Sequence, residues 1–476
     1  MRSYSFMLTI GAVLAAAATT RADGAIQLPT CDTDDGNWTE YNHDMAGTRY
    51  NRLESTLSPS NVSGLKIHWQ IPTAGPVNGT PAVADGKLYI GDGSGAFYGI
   101  TTSGTVLWKT QLQGPLTASA TIVGSLVIIG DLNGNLYGVR RDTGAVVWTT
   151  KPDSHPFASF FGSAVKIGAF LAYGISSNEE IQTTDPNYHC CSFRGSVILL
   201  NPLNGKVLWK TYTISDADFA NGASGSPVWS SPTFDLLSGT IFVTTGNNYS
   251  PPATTTSDAF IALDAVTGAI KWTNQLIPND TWNYRFPYTP GSTVDADFGD
   301  SPQVYTLRNG QRVVGAGSKD GFYHVLDART GKLVKQVQLE PGGNLGGLFA
   351  DSAYANGVVY ANGINWPGGD PVAGIPPVGG DLIALSGDAS TELWRFPTSG
   401  SPNFGGVAVA NGVVYFASTF NNTFYALDAS TGAQLAAVQI GDAWSGPAVA
   451  GGQVFVGSGV VLGSISAPGA IIALGL

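Results

Sequence analysis

Apolar and polar positions along this chain alternate in short bursts. Gly86-Lys87-Leu88-Tyr89-Ile90-Gly91 and Gly412-Val413-Val414-Tyr415-Phe416-Ala417 are typical, with aromatic and β-branched residues bounded by turn formers. Such runs predict strands, and no long helical period interrupts them. A second apolar segment follows each burst and recurs eight times, at Phe97–Ile100, Leu136–Val139, Ile198–Asn201, Phe260–Leu263, Tyr323–Leu326, Leu382–Leu385, Phe424–Leu427 and Ile471–Leu474. Most copies run into a turn that ends in glycine, as at Asp264 to Gly268, Asp327 to Gly331 and Asp428 to Gly432. Asp stabilises such a bend through its side chain, and Gly accepts the positive φ it needs. A tryptophan often stands four residues beyond the glycine, at Trp108, Trp148, Trp209 and Trp272, with Trp394 in a looser copy.

Each unit therefore reads as four short strands, at a period of roughly 40 to 63 residues. Four-stranded units at this spacing predict radial blades, because no single blade can bury both its faces. The last copy stops at Leu476 with no strand after it, and Leu65 to Gln70, ahead of the first unit, supplies the missing one. The expected fold is an all-β, eight-bladed β-propeller closed by N- and C-terminal strands, a single unit over residues 23–476. The repeated tryptophans, with Trp69, are expected to dock blade against blade.

Composition narrows the class. The chain has 476 residues, Gly 62 and Pro 27 without a Gly-X-Y period, which excludes collagen. With 11 Trp, 18 Tyr and 21 Phe it carries enough apolar surface to fold. A net charge of −11 without a Lys/Arg cluster excludes a nucleic-acid partner. Residues 1–22 read as a cleaved signal peptide: Arg2 precedes an apolar run from Phe6 to Ala18, shorter than the ~20 residues of a membrane span. The mature protein is expected to be secreted and extracellular, or periplasmic in a bacterium, with no membrane span left. Sequons at Asn37, Asn61, Asn78, Asn248, Asn279 and Asn421 permit glycosylation in a eukaryotic host.

Three cysteines, Cys31, Cys190 and Cys191, match neither a zinc site nor a haem attachment motif. Export favours oxidation. Bridging the adjacent pair distorts the peptide between them; the alternative joins one of them to Cys31.

Chemistry is expected where the repeat is broken. Three long connections, 175–195, 275–300 and 363–380, should gather at one mouth of the central channel. They and their neighbours hold Glu179, Asn247 and Asp297, hard oxygen donors of the kind calcium prefers. Trp229 lacks the docking spacing and could present a flat face to a planar ligand.

These segments resemble the quinoprotein alcohol dehydrogenases, and among them the polyvinyl-alcohol-dehydrogenase-like branch. The likeness is carried by Ser176-Ser177-Asn178-Glu179-Glu180, Cys190-Cys191-Ser192-Phe193-Arg194-Gly195, Val228-Trp229-Ser230-Ser231-Pro232 through Gly246-Asn247-Asn248-Tyr249, Asp295-Ala296-Asp297-Phe298-Gly299 and Ser318-Lys319-Asp320-Gly321. The resemblance implies pyrroloquinoline quinone and calcium at the axis of the propeller. It implies Trp229 on one face of the quinone and a Cys190–Cys191 ring on the other. Glu179, Asn247 and Asp297 would ligate calcium, Lys319 would sit beside the quinone oxygens, and Arg194 would pair a cofactor carboxylate. Glu179 and Ser177 would help hold the cofactor. Asp297 would be the catalytic base for an alcohol or polyol, up to a polymer, with electrons leaving to an external cytochrome or quinone.

Two departures from the family pattern stand out. The family's Trp-Asp pair lines up with Trp282-Asn283, and an amide cannot accept a proton as a carboxylate does. Leu348-Phe349 stands where relatives tend to show Trp-Gly. On the Asn283 alignment the chain would be a catalytically silent propeller that binds a polymer or protein.

Overall fold

The computed structural model describes residues 35–285, 295–366, 377–460 and 468–476. The signal segment and Cys31 lie outside them. No helix among the described residues is long and apolar enough to cross a membrane.

Eight four-stranded antiparallel blades succeed one another along the chain. The first is Ala82–Ala84, Lys87–Gly91, Ala96–Thr101 and Val106–Gln111, from the axis outward. Inner strands are short, and three of them, Ala82–Ala84, Ala408–Ala410 and Ala448–Ala450, share the small-residue sequence Ala-Val-Ala. Middle strands are buried on both faces, and outer strands are largely exposed.

The exception on six of the eight outer strands is a tryptophan; Leu333–Gln338 and Gln434–Gln439 have none. Trp69, Trp108, Trp148, Trp209, Trp272 and Trp394 donate their indole N–H to a carbonyl in the next blade's turn, at 2.9 to 3.3 Å. Each ring lies on the glycine of that turn. A Cβ on Gly144 would come within 2.7 Å of Trp108, and Gly144 also has a φ of 72°, so only glycine satisfies both the turn and the docking. This is the physical content of the Gly–Trp repeat. Apolar packing continues across the joints; Tyr89, Phe97 and Trp108 of the first blade pack with Leu116, Ile129 and Tyr137 of the second.

Closure follows the expected route. Lys66–Thr73 pairs antiparallel with Gly469–Gly475, so the eighth blade contains strands from both ends of the described chain. The segment before it crosses the base of the axis. There Arg49, fully buried, donates from Nε to the Val407 carbonyl at 2.5 Å and from Nη1 to that of Tyr41 at 2.8 Å, while Nη2 reaches Thr80 and Pro447. Its guanidinium also lies 4.8 Å from the Tyr41 ring. One side chain thus ties the segment to the first, seventh and eighth blades.

Of the sequons, Asn248 is buried, with its amide donating to Ser224 and its carbonyl oxygen accepting from Thr254, so the folded protein does not offer it for glycosylation.

Candidate functional site

The site gathers Trp229 and Asp295 to Asp297, on the connections into the inner strands of the fourth and fifth blades, with Glu180, Asn247 and Lys319, on the connections between the middle strands of the third, fourth and fifth. Trp229 stands on the connection into Thr233–Asp235, the inner strand of the fourth blade, and its indole rests on Gly299, where a Cβ would come within 2.2 Å of the ring. Phe349 packs at 6.2 Å from it, which gives the departing Leu348-Phe349 pair an apolar role beside the indole.

Over the indole, 5.4 Å from its ring, is the Lys319 ammonium. Lys319 donates to Asp295 at 2.8 Å and to Asp297 at 3.1 Å. Burial alone would lower the lysine pKa, but the two carboxylates outweigh it and raise it. Asp297 has both oxygens engaged, since its other oxygen accepts from the Asn247 amide at 2.6 Å. Asp295 keeps one oxygen buried with no hydrogen-bond partner. Burial above all, and then the Asp297 charge, pushes its pKa well up. Asp280 fixes the pair by accepting from the Ala296 amide between them at 3.0 Å, and burial pushes its own pKa up to about 6.

Asn247 completes the cluster. Its amide donates to Glu180 at 3.2 Å and to the Trp282 carbonyl at 2.7 Å, and its Oδ1 is buried without a partner. Burial and the charges of Asp295 and Asp297 raise the Glu180 pKa well above the ordinary carboxylate range.

Cys190 and Cys191 form a disulfide across a cis peptide. Cys190 Sγ lies 3.6 Å from the Tyr249 carbonyl oxygen, which also accepts from Asn283 Nδ2 at 2.8 Å. Tyr249 is two residues from Asn247, so the disulfide and the carboxylates share one wall. Asn283 braces that wall. A carboxylate in its place could not donate to Tyr249, which is a structural reason for an amide at this position.

Three expected site residues are placed elsewhere. Glu179 is buried behind the disulfide loop, accepting from Tyr188 at 2.8 Å and from the backbone amides of Ser192 and Phe193 at 2.9 and 2.8 Å. Burial pushes its pKa up, but hydrogen bonds from His155, Tyr188 and these amides prevail and hold it low. It props the loop, while Glu180 next to it faces Asn247. The two diverge because they open a helical turn, Glu179–Gln182, where neighbours point about 100° apart. Ser177 accepts from the Glu179 amide at 2.8 Å and so belongs to the same prop. Arg194 turns outward, 2.9 Å from exposed Asp216 and 4.0 Å from the Tyr212 ring, bonded to the Ile214 carbonyl.

The cluster is rich in hard oxygen donors, although among the described residues no group of three His, Cys, Asp or Glu side chains is arranged to hold a metal ion. Glu180, Asp295 and Asp297 face Lys319 as the one basic side chain paired with them among the described residues, and Asn247 and Asp295 each hold a buried oxygen in reserve. Buried carboxylates without compensation are costly, and hard oxygen donors are what calcium takes. The indole face with an ammonium above it likewise suits a flat, oxygen-rich molecule.

Comparisons with known proteins bear on the chain as a whole. A family model, PQQ_2, described as outer membrane protein assembly factor BamB, matches residues 60–256 and 194–458. A polyvinylalcohol dehydrogenase of a Pseudomonas species is 29% identical over 456 residues, covering 85% of this chain and 70% of the relative. The quinohemoprotein alcohol dehydrogenase of Comamonas testosteroni superposes with a TM-score of 0.75 at 19% identity, covering 93% of this chain and 81% of that one. A europium-containing methanol dehydrogenase superposes with a TM-score of 0.74 at 16% identity, covering 93% and 98%. At these identities the two structures speak for the fold.

Proposed function

Since the chain belongs to the PQQ_2 family of propellers, we propose that it is a quinoprotein alcohol dehydrogenase, working outside the cytoplasm with calcium and an external electron acceptor. The observation that carries this reading is the meeting of Trp229, Lys319, Asp295, Asp297, Asn247 and Glu180 at one place on the axis, with the disulfide on the adjoining wall. When bound, pyrroloquinoline quinone would supply the two-electron acceptor and calcium the Lewis acid that polarises it.

The protein's own residues do the rest. Trp229 offers the stacking face, and the Cys190–Cys191 loop, propped by Glu179, bounds the adjoining wall. Asp297, Asn247 and Glu180 hold the cation. Asp295 takes the alcohol's hydroxyl proton on its unengaged oxygen, a role that the sequence assigns to Asp297. Lys319 keeps the carboxylates apart electrostatically and places positive charge where negative charge develops.

Dye reduction by the loaded enzyme tests the reading. Asp295→Asn should lower kcat by about 10³-fold while the quinone is retained. Undiminished turnover would remove Asp295 from the role. Retained quinone with no turnover in the unaltered protein would favour the silent binding propeller.

A further inference from the structure

The connections that carry the site end on a common anchor, Asp351. Ser301, on the Asp295–Asp297 connection, donates its amide to Asp351 Oδ1 at 2.9 Å, and its Oγ accepts from the Ser231 amide at 3.1 Å. Ser231 lies just past Trp229 on the connection into the fourth blade. Asp351 lies just past Phe349, which packs 6.2 Å from that indole. One buried carboxylate therefore gathers the connections into the fourth, fifth and sixth blades.

The same bond recurs around the axis. The Ser163 amide donates to Ser231 Oγ at 2.9 Å, and the Ser119 amide to Ser163 Oγ at 2.8 Å. In each case an amide just ahead of one inner strand is received by a hydroxyl just ahead of the next. From the second blade to the sixth the series is made of serines until it ends on Asp351, the one acceptor in it that carries a charge.

The second oxygen of Asp351 accepts from the Tyr41 hydroxyl, which comes from outside the repeat. Residues 38–51 bond to the inner strand of every blade in turn, from Trp38 at Val83 in the first to Asn51 at Val449 in the eighth. The Tyr41 backbone is held without help from its hydroxyl, because its carbonyl accepts from Arg49 Nη1 at 2.8 Å and from the Trp38 indole at 3.1 Å.

We propose that Tyr41 is a positioning residue for the quinone site: its hydroxyl holds the Asp351 carboxylate, and Asp351, through Ser301, sets where the Trp229 indole stands relative to the Asp295–Lys319 pair. Without the hydroxyl, a buried carboxylate loses one of its donors and must shift to replace it. The shift falls on Ser301 and Ser231, on connections that no strand ladder holds in place. A displacement of about 1 Å is enough to cost as much as about 10²-fold in rate. The catalytic consequence rests on the dehydrogenase reading; the coupling of Tyr41 to the two connections does not.

Tyr41→Phe keeps the ring beside Arg49 and removes only the hydroxyl, while Ser301→Ala breaks the series one link further on. In the full chain without quinone, Tyr41→Phe should raise hydrogen exchange about tenfold in segments 229–231 and 297–301 and leave the outer strand Val106–Gln111 unchanged. In the quinone-loaded enzyme both variants should lower kcat about tenfold, with the KM for alcohol within about twofold. A merely structural role would lower the melting temperature and leave kcat per bound quinone as it was. Unchanged exchange in both segments, or unchanged kcat in both variants, would overturn the proposal. If the unaltered chain takes up no quinone, the dehydrogenase reading falls and the exchange result alone decides for or against Tyr41.

Discussion

Glu180 accepts a hydrogen bond from Asn247 at 3.2 Å, while its neighbour Glu179 faces away into the disulfide loop. Adjacent acids therefore have separable duties. Glu180→Gln should weaken cation binding about tenfold or more, read by terbium luminescence or calorimetry. Glu179→Gln should leave cation affinity within about twofold and lower the melting temperature instead, since two backbone amides lose a charged acceptor. The opposite pattern would restore Glu179 as the ligand.

Lys319 carries the charge balance of the site in the absence of a cation. Lys319→Gln strands Asp295 and Asp297 without a counter-charge, and should destabilise the metal-free protein by about 3 kcal/mol. Calcium should recover more melting temperature in this variant than in the unaltered protein. Equal recovery in the two would mean that the cation binds elsewhere.

How far the sequence discloses all this depends on the kind of signal. Blade number, closure by Lys66–Thr73 and the docking tryptophans are legible because each repeats, so one local rule is read many times. Trp229, Asn247, Asp297 and Lys319 are legible from motif resemblance, and they do meet. Side-chain direction is another matter. Nothing in Glu179-Glu180 or Asp295-Ala296-Asp297 says which acid faces the axis, because that depends on a single helical turn and on the Asp280 anchor. Arg194 is misleading for the same reason: its outward turn is fixed by Tyr212 and Asp216, which no local pattern connects to it.

The docking joints can be tested singly. A Cβ on Gly268 would come within 2.7 Å of the Trp209 ring, at a φ of 72°. Gly268→Ala should cost about 2 kcal/mol in denaturant unfolding. A neutral result would mean that the indole is not seated on the turn.

His324 predicts the acid limb of stability. It is buried, with Nε2 3.0 Å from Ser318 Oγ, and burial lowers its pKa from 6.5 to about 3. A hydrogen bond with Gln336 opposes that shift, and Asp320, 4.0 Å away, has its own charge disfavoured by burial. Between these two pKa values the unfolded chain binds the extra proton, so stability falls as pH drops below the unfolded value. This one group should account for about 2 kcal/mol between pH 7 and pH 5. His324→Gln should flatten that part of the pH profile; an unchanged slope would assign it to other groups.

An absorbance titration of the purified chain with pyrroloquinoline quinone, in the presence of calcium, bears most directly on the axial site. The account predicts uptake of one quinone per chain, with the retained quinone reduced when an alcohol is added. A folded chain that takes up no quinone under these conditions would contradict it.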